Sequence, residues 1–166
     1  NGDKLTGGLP GTKNQDGDRY VEIWNLVFME YQKNKSGLKK LNKKCVDTGM
    51  GLERITAVLS GKNNNYETDL FDFVFTDVEK AIKTKMTKQN EIPFRVISDH
   101  IKSICMLMSD GIIPSNEGRG YVLRRIIRRA IVQGNKISKE KIFLHKLVKG
   151  VINKYSEYYF ELKKSQ

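Results

Sequence analysis

The chain has 166 residues, of which 39% are hydrophobic and 30% charged, and its formal net charge is +11. This length and composition predict one globular domain, or parts of two, with a real hydrophobic core. No apolar run approaches the roughly 18 residues of a membrane span, so a transmembrane helix is excluded. Residues 1–4 are polar, lack a Met and show no signal peptide, so we expect the chain to begin inside a longer protein.

The two cysteines, Cys45 and Cys105, lie far apart in the chain, and only His100 and His145 could join them at a metal. Their spacing does not match a zinc site, so no metal site is predicted. We interpret both cysteines as reduced structural thiols of an intracellular protein rather than as a functional pair. The predicted location is the cytoplasm, although the sequence does not distinguish it from an organelle.

The positive charge is unevenly distributed along the chain. Residues 1–91 hold 15 basic and 13 acidic side chains, whereas residues 92–166 hold 15 and 6. This contrast predicts two functional regions with a boundary after residue 91, the second of which faces a polyanion. An excess of lysine could also reflect solubility or compositional bias, but a concentration of arginine is harder to explain in that way.

The first predicted element is a strand over residues 20–31, where most side chains are apolar or aromatic, as in a strand buried on both faces. Glu22 and Asn25 interrupt its apolar faces. A buried polar group costs a few kcal/mol unless it is paired. Each of these two side chains therefore either bonds neighbouring backbone or faces a polar ligand pocket.

Residues 32–44 are rich in Lys and Asn and predict a loop that fits a hairpin or an insertion, and a short strand at residues 44–47 follows it. Two helices with apolar residues at helical spacing come next. The first begins at residue 52 and ends at Gly61, and the second begins after Thr68, which can cap it. The predicted buried stripe of the second helix is Phe71, Val74, Val78, Ala81 and Ile82.

Beyond residue 91 the pattern is wholly helical. One helix has apolar positions from Ile97 to Met108 and is predicted to stop at Gly111. Another begins after residues 114–116 and ends at Gly134, and a final helix covers about residues 139–162. The predicted buried stripe of the middle helix is Leu123, Ile126, Ile127, Ala130 and Ile131.

Arginines are concentrated on and just before this middle helix. They are Arg119, Arg124, Arg125, Arg128 and Arg129, and the last four lie opposite the apolar stripe. Phosphate binding favours arginine because its guanidinium is always charged and can donate two parallel hydrogen bonds. We therefore predict that part of this face contacts nucleic acid, while some of the five pair with Asp99, Asp110 or Glu117.

Two polar residues beside this arginine row have two interpretations each. Asn116 either caps the helix or donates to a base edge, and Asp99 either complements the helix dipole or accepts from a base amine. His100 is interpreted as structural. No Ser-His-Asp, Cys-His or paired-carboxylate arrangement occurs in the sequence, so a site would work by positioning and charge stabilisation.

Residues 46–54 read VDTGMGLER and place an acid, two glycines and a Glu-Arg pair before an apolar-periodic helix. Glycines let the backbone approach a ligand closely, and Arg54 can stack on a base or pair with phosphate. A nucleotide site and a plain glycine-rich strand-to-helix turn with a solvated arginine both fit this pattern.

Four blocks of sequence carry a resemblance to a known family. They are YVEIWNLVFM at 20–29, VDTGMGLER at 46–54, SDHI at 98–101 and DGIIPSNEGRGYVLRR at 110–125. Together, and in this order, they closely resemble the alanyl-tRNA synthetases. The resemblance implies an α+β fold, in which residues 1–91 form the C-terminal part of a class II antiparallel-sheet catalytic core. Residues 92–166 would form an all-helical tRNA-recognition region.

The resemblance also implies roles for individual residues. The segment VDTGMGLER resembles the third class II signature motif, in which Arg54 and Gly51 would bind ATP and Arg54 and Asp47 would act in catalysis. Asp47 would hold the ammonium group of alanine. The implied alanine-site residues are Asn25, Val27, Asp47 and Gly49, and Glu22 is placed near them. Asp99, Asn116 and Arg128 would read the tRNA acceptor stem near its G·U wobble pair.

The implied activity is activation of L-alanine with ATP and Mg²⁺, followed by transfer of the alanine to tRNA(Ala). No membrane is implied as a partner. The first two class II motifs, the editing domain with its zinc ligands and the C-terminal oligomerising region have no counterpart here. We therefore interpret the chain as a fragment that does not make alanyl-adenylate alone. The alternative is a synthetase-like RNA-binding module without enzymatic activity.

Overall fold

The computed structural model describes residues 5–138 and 140–164. The chain divides between Thr68 and Asp69 into two compact units. The described part of the first unit contains an antiparallel strand pair and one α-helix, and that of the second contains five α-helices. The predicted α+β class is confirmed. The functional boundary predicted after residue 91 stays a prediction, and it lies inside the second compact unit.

The first unit is built on a long hairpin. Strands β1 (Trp24–Asn34) and β2 (Gly37–Met50) pair antiparallel, with a register irregularity between Met29 and Tyr31. Gly37, which follows the two-residue turn, has a φ of 118° that glycine adopts without strain. The segment 32–44, predicted as a loop that fits a hairpin or an insertion, is therefore a hairpin, and most of its residues are strand rather than loop. A two-stranded ribbon pairs through its backbone and needs no buried face, so Lys- and Asn-rich segments can form it.

Neither face of β1 is covered within the part of the chain that the structure describes. Trp24 and Phe28 have exposed fractions of 59% and 73%, although their side chains are the largest apolar groups of the strand. The prediction of a strand buried on both faces is therefore wrong for this structure, because the described sheet contains two strands only.

A single helix completes the regular structure of the first unit. Helix α1 (Leu52–Leu59) follows β2 directly, and Gly61, with a φ of 64°, donates its N–H to Val58 O at 3.1 Å. The predicted end of the helix at Gly61 is confirmed. A 3₁₀ turn (Asn65–Glu67) comes next, and the Thr68 hydroxyl donates to Asn65 O at 2.6 Å, which closes this turn.

The second unit has one hydrophobic core. Its helices are α2 (Asp69–Ile82), α3 (Glu91–Ser109), α4 (Gly118–Ile137), α5 (Leu144–Tyr155) and α6 (Glu161–Lys164). All five apolar positions predicted for α2 are buried, and α3 and α5 supply most of the remaining core. Met108 is 51% exposed, contrary to the prediction, because it lies in the last turn of α3. No helix in the described ranges is long and apolar enough to cross a membrane.

Two helix boundaries differ from the prediction. Helix α4 continues through the buried Gly134 to Ile137, and a Cβ added at Gly134 would collide with the ring of Phe143. The glycine therefore allows close packing and does not end the helix. The predicted final helix is two helices, because the chain turns between Tyr155 and Glu161 and so brings Leu162 into the core, where it is 2% exposed.

Candidate functional site

The register of the hairpin brings together the four residues predicted to line an alanine site. Asn25 is the pairing partner of Gly49, and Val27 is the partner of Asp47. Side chains two positions apart on a strand share a face, and so do directly opposed residues of neighbouring strands. All four positions therefore lie on one face of the hairpin, as a site would require.

Asn25 forms the centre of this face. Its Nδ2 donates to Glu22 Oε1 at 3.0 Å, so the two polar residues that interrupt the apolar strand bond each other. The two side chains thus pair with each other rather than with neighbouring backbone, and the alternative that they face a polar ligand pocket stays a prediction. A Cβ built at Gly49 would lie 3.2 Å from Asn25 Oδ1, which is closer than ordinary van der Waals contact. The glycine thus leaves room for the Asn25 carboxamide.

Asp47 presents a carboxylate that is only partly used by the protein. Its Oδ1 accepts from the Thr48 N–H at 2.8 Å, and no other group in the described part of the chain is bonded to this side chain. Its exposed second oxygen can therefore accept from a cation such as an ammonium group.

Thr48 is a further residue of this site that the sequence did not single out. Its hydroxyl donates to Asn25 O at 3.0 Å and accepts from the Trp24 indole N–H on the opposite face. Together with the bond to Asp47, these contacts tie both strands together where the predicted ligand residues lie. The only signal in the sequence is the position of a threonine between the acid and the first glycine of the motif.

Arg54 lies in the first turn of α1, directly after the glycine turn. Its Nη1 donates to Glu22 O at 2.6 Å, which anchors the guanidinium beside the start of β1. The side chain is exposed, and a guanidinium has five N–H donors, so further donors remain for an anion.

Gly51 has a structural function in the same turn. Its N–H donates to Ile23 O at 3.1 Å, and its carbonyl accepts from Ile55 N at 2.9 Å. A Cβ at Gly51 would meet Arg54 at 3.5 Å, which is ordinary contact, and its φ is −72°. The backbone N–H of Gly51 is thus already engaged, and the predicted contact of this residue with ATP stays a prediction.

The second candidate site is the arginine face of α4. Arg119, Arg124, Arg125, Arg128 and Arg129 are all exposed, as predicted for the last four. None of the five forms an ion pair with any carboxylate in the described ranges, so the expectation that some pair with Asp99, Asp110 or Glu117 is wrong. Asp99 is bonded instead to His100, at 2.8 Å between Oδ2 and Nδ1.

Two of these arginines contact neighbouring side chains. Arg124 donates to Asn116 Oδ1, and the Arg125 guanidinium lies 5.8 Å from the centre of the Tyr121 ring. The N-cap position of α4 is Glu117, which makes no side-chain capping bond, so Asn116 is not the helix cap. Asn116 is held by an arginine of the predicted RNA-binding face instead.

An open groove of about 730 Å³ runs along this face. Its lining residues are His100, Tyr121, Val122, Arg124, Arg125, Ile126, Arg128 and Arg129. Of the predicted RNA-binding residues, Asp99, Asn116 and Arg119 do not line it. Asn116 is connected to the groove through Arg124, and Asp99 is connected to it through His100, whereas Arg119 has no such contact among the described residues.

The arginine spacing opposes helix stability. Arg124 and Arg128, and likewise Arg125 and Arg129, are four residues apart, and like charges at this spacing destabilise a helix by about 0.2–0.5 kcal/mol per pair. Acidic residues at half of these positions would remove this cost. The retained positive charge therefore suits a surface that binds a polyanion.

The two cysteines differ in environment, since Cys45 is exposed and Cys105 is buried. Both cysteines are free thiols. Burial raises the pKa of the Cys105 thiol to about 11, so it stays protonated at neutral pH and is a poor nucleophile. No group of three or more His, Cys, Asp or Glu side chains in the described residues could hold a metal ion.

Comparison with known proteins shows the family of the chain. The family model for class II (A) tRNA synthetases matches residues 1–166. The chain is 48% identical to the alanine–tRNA ligase of Orientia tsutsugamushi over 166 residues, which are 99% of the chain and 19% of that protein. It is 52% identical to the alanine–tRNA ligase of Francisella tularensis subsp. novicida over 163 residues, or 97% of the chain and 18% of that protein.

The alanine–tRNA ligase of Rickettsia bellii is 46% identical over 166 residues, with 99% of the chain and 19% of that protein covered. The chain thus spans about a fifth of the length of the curated relatives it matches. Because the family model covers every residue, the chain belongs to the class II (A) family of tRNA synthetases.

Proposed function

We propose that this chain is part of an alanine–tRNA ligase, which activates L-alanine with ATP and Mg²⁺ and transfers it to tRNA(Ala). The observation that carries the proposal is the hairpin register, which aligns Asn25 with Gly49 and Val27 with Asp47 on one face. The similarity to alanine–tRNA ligases over nearly the whole chain supports it. Residues 1–91 would contribute the C-terminal part of the catalytic core, and residues 92–166 would hold the tRNA acceptor stem.

In this proposal the hairpin face binds alanine. The Asp47 carboxylate accepts from the ammonium group of alanine, while Thr48 N–H keeps the carboxylate in place. The Asn25 carboxamide, steadied by Glu22, binds a polar group of the substrate, and Val27 contacts its methyl group. One methylene more or less in such a pocket changes binding by only about 1–3 kcal/mol, so the pocket separates alanine from its nearest analogues modestly.

Arg54 would bind the nucleotide. Its guanidinium is always charged and can pair with a phosphate or stack on the adenine, and the Glu22 carbonyl holds it in position. Mg²⁺ would supply charge neutralisation on the triphosphate, and we assign no residue of this chain to it. Catalysis would then rest on positioning and on stabilisation of charge at the reacting phosphate.

The arginine face of α4 would hold the acceptor stem. Phosphate contacts from arginine set the position of an RNA helix, whereas contacts to base edges carry sequence information. Asn116, which Arg124 contacts, and Asp99 are the candidates for base-edge contacts beside that face. Arg128 and Arg129 have no hydrogen bond or ion pair in the described part of the chain, so both are available to phosphates.

The proposal is tested by amino-acid-dependent pyrophosphate exchange in the natural protein that carries this chain. We expect exchange with alanine, exchange with serine or glycine that is slower by the roughly 5- to 150-fold that 1–3 kcal/mol gives, and none by the 166-residue chain alone. Gly49→Ala is expected to lower exchange with alanine at least about tenfold, because its methyl group would displace the Asn25 carboxamide. Tight tRNA binding without exchange would instead favour the non-enzymatic RNA-binding alternative.

The arginine face makes a separate prediction about salt. In the natural protein, replacing Arg128 and Arg129 together by Gln is expected to reduce the slope of log affinity for tRNA against log salt by about two, because each phosphate contact contributes nearly one. The measurement is a binding titration at several salt concentrations.

The matched control replaces the exposed Lys149 and Lys163 by Gln, which removes the same charge from α5 and α6. This control is expected to leave the slope nearly unchanged. Equal reductions in both double variants would contradict a specific contact and indicate a general charge effect.

A further inference from the structure

We propose that His100 is a positioning residue, which holds the Asp99 carboxylate in the orientation that reads the RNA acceptor stem. The inference rests on the proposed function, because it assumes that Asp99 contacts RNA. It assigns to His100 a role other than filling space in the helical unit.

The contact between the two residues is specific. His100 Nδ1 lies 2.8 Å from Asp99 Oδ2, and because a carboxylate can only accept, the imidazole donates its Nδ1–H. Neighbouring residues on a helix point about 100° apart and do not face each other by spacing alone. The imidazole therefore lies back toward Asp99, whose side chain stays 44% exposed, whereas that of His100 is 12% exposed.

The other nitrogen shows that His100 is not optimised for stability. Nε2 is buried and has no hydrogen-bond partner among the described residues. A buried polar atom without a partner destabilises the fold, and an apolar side chain at this position would avoid that cost. The benefit that offsets the cost is the bond to Asp99, which lies on the exposed side of the pair.

The surroundings explain why Asp99 needs such a bond. His100 lines the same groove as Arg124, Arg125, Arg128 and Arg129, so Asp99 is bonded to a residue of an arginine-rich surface. A carboxylate free to rotate there would be attracted to an arginine and would neutralise a phosphate-binding group. In the structure one Asp99 oxygen is bonded to His100, and no arginine of the described residues forms an ion pair with Asp99. The second oxygen is then free to accept from a base.

The experiment uses two substitutions at His100 that differ in where they place a donor. The amide nitrogen of His100→Asn lies near the position of Nδ1, whereas that of His100→Gln lies near the position of Nε2. The readout is the ratio of affinities of the natural protein for two RNA hairpins, one with the tRNA(Ala) acceptor stem and its G·U pair, the other with G·C instead. We expect His100→Asn to keep this ratio within about twofold and His100→Gln to lower it about fivefold.

Asp99→Ala and the double variant with His100→Gln complete the comparison. Asp99→Ala is expected to lower the ratio at least as much as His100→Gln, and the double variant no further, since both changes remove one unit. His100→Leu is expected to lower the ratio while its melting temperature is unchanged or raised. If the His100 variants lowered the affinity ratio only to the extent that they lowered the melting temperature, the proposal would be overturned in favour of a structural role.

Two further results separate this inference from the proposed function. If Asp99→Ala lowers the ratio but His100→Gln does not, the positioning role is overturned and the RNA contact of Asp99 stands. If Asp99→Ala has no effect while tRNA binding and alanine activation are intact, the inference is overturned through Asp99, and the assignment of the chain to an alanine–tRNA ligase is unaffected.

Discussion

Replacing Asp47 by alanine in the natural protein that carries this chain is expected to abolish alanine-dependent pyrophosphate exchange. The carboxylate would be the one anionic partner of the substrate ammonium in the hairpin face, and its removal leaves that charge without a counter-ion. A hydrogen bond to a charged group contributes about 1.5–3 kcal/mol, which corresponds to a factor of about 10 to 150 in affinity. The loss in catalysis is expected to exceed this factor, because a misplaced substrate also reacts more slowly.

The conservative variant Asp47→Asn separates charge from shape. Its carboxamide oxygen can still accept from Thr48 N–H, as Asp47 Oδ1 does at 2.8 Å, so the local backbone is expected to be unchanged. The KM for alanine should rise at least about tenfold while the KM for ATP changes little. Initial rates measured over both substrates give this comparison.

The matched control is Glu30→Gln on the same hairpin. Glu30 also carries an exposed carboxylate, but it pairs with Lys44 at 2.8 Å and is not one of the four aligned positions. It is expected to leave both KM values unchanged, since a surface ion pair contributes little to stability. Undiminished exchange in Asp47→Ala, or equal losses in Asp47→Asn and Glu30→Gln, would contradict the assignment of Asp47.

The alignment behind this prediction depends on a turn whose position the sequence did not reveal. Alternation along a strand places Asn25 and Val27 on one face, and the same rule holds for Asp47 and Gly49. Whether these two pairs share a face of the hairpin depends on the pairing register of the strands. The register in turn depends on the two-residue turn before Gly37. The Lys- and Asn-rich composition fitted either a hairpin or an insertion and did not locate the turn. The resemblance to a family therefore grouped residues that the local pattern could not.

The helical unit was more predictable, because its helices bury faces that repeat every three to four residues. Every predicted buried position of α2 is buried, whereas of the five positions predicted for α4 only Leu123 and Ala130 are buried. Gly134 was predicted wrongly, since glycine near the end of an apolar stripe is typical of a helix stop. Its actual partner, Phe143, belongs to the next segment of chain, and such a contact becomes visible only when the packing is known.

Burial of the hairpin shows a different limit of sequence patterns. A run of apolar side chains predicts that a strand will be covered, but it does not say which elements cover it. The described sheet has two strands, and the aromatic side chains of β1 stay exposed. Polar contacts such as that between Arg124 and Asn116 are harder still, because a shift of one residue in the helix start decides whether an asparagine caps the helix or contacts an arginine.

Replacing Arg54 by alanine is the second change with a large expected effect. In the proposed site its guanidinium contacts ATP, and charge-assisted hydrogen bonds are about twice as strong as neutral ones. We expect kcat/KM for ATP in pyrophosphate exchange to fall about 100-fold or more, and the KM for alanine to change much less. Arg54→Lys keeps the charge but loses the planar fork, so it should recover only part of the loss.

A loss of ATP binding and a loss of fold stability would differ in their size and in which kinetic constants they change. Arg54 also donates to Glu22 O at 2.6 Å, and removal of this bond alone costs only about 0.5–1.5 kcal/mol of stability. The control Lys62→Ala removes one positive charge just after α1 and is expected to leave kcat/KM for ATP unchanged. If the effect were structural, Arg54→Ala would raise both KM values together and lower the melting temperature. The Glu22 carboxylate steadies Asn25, and the Glu22 carbonyl holds Arg54. We therefore expect Arg54→Ala to lower kcat/KM for ATP strongly and to change the KM for alanine by a small but measurable amount.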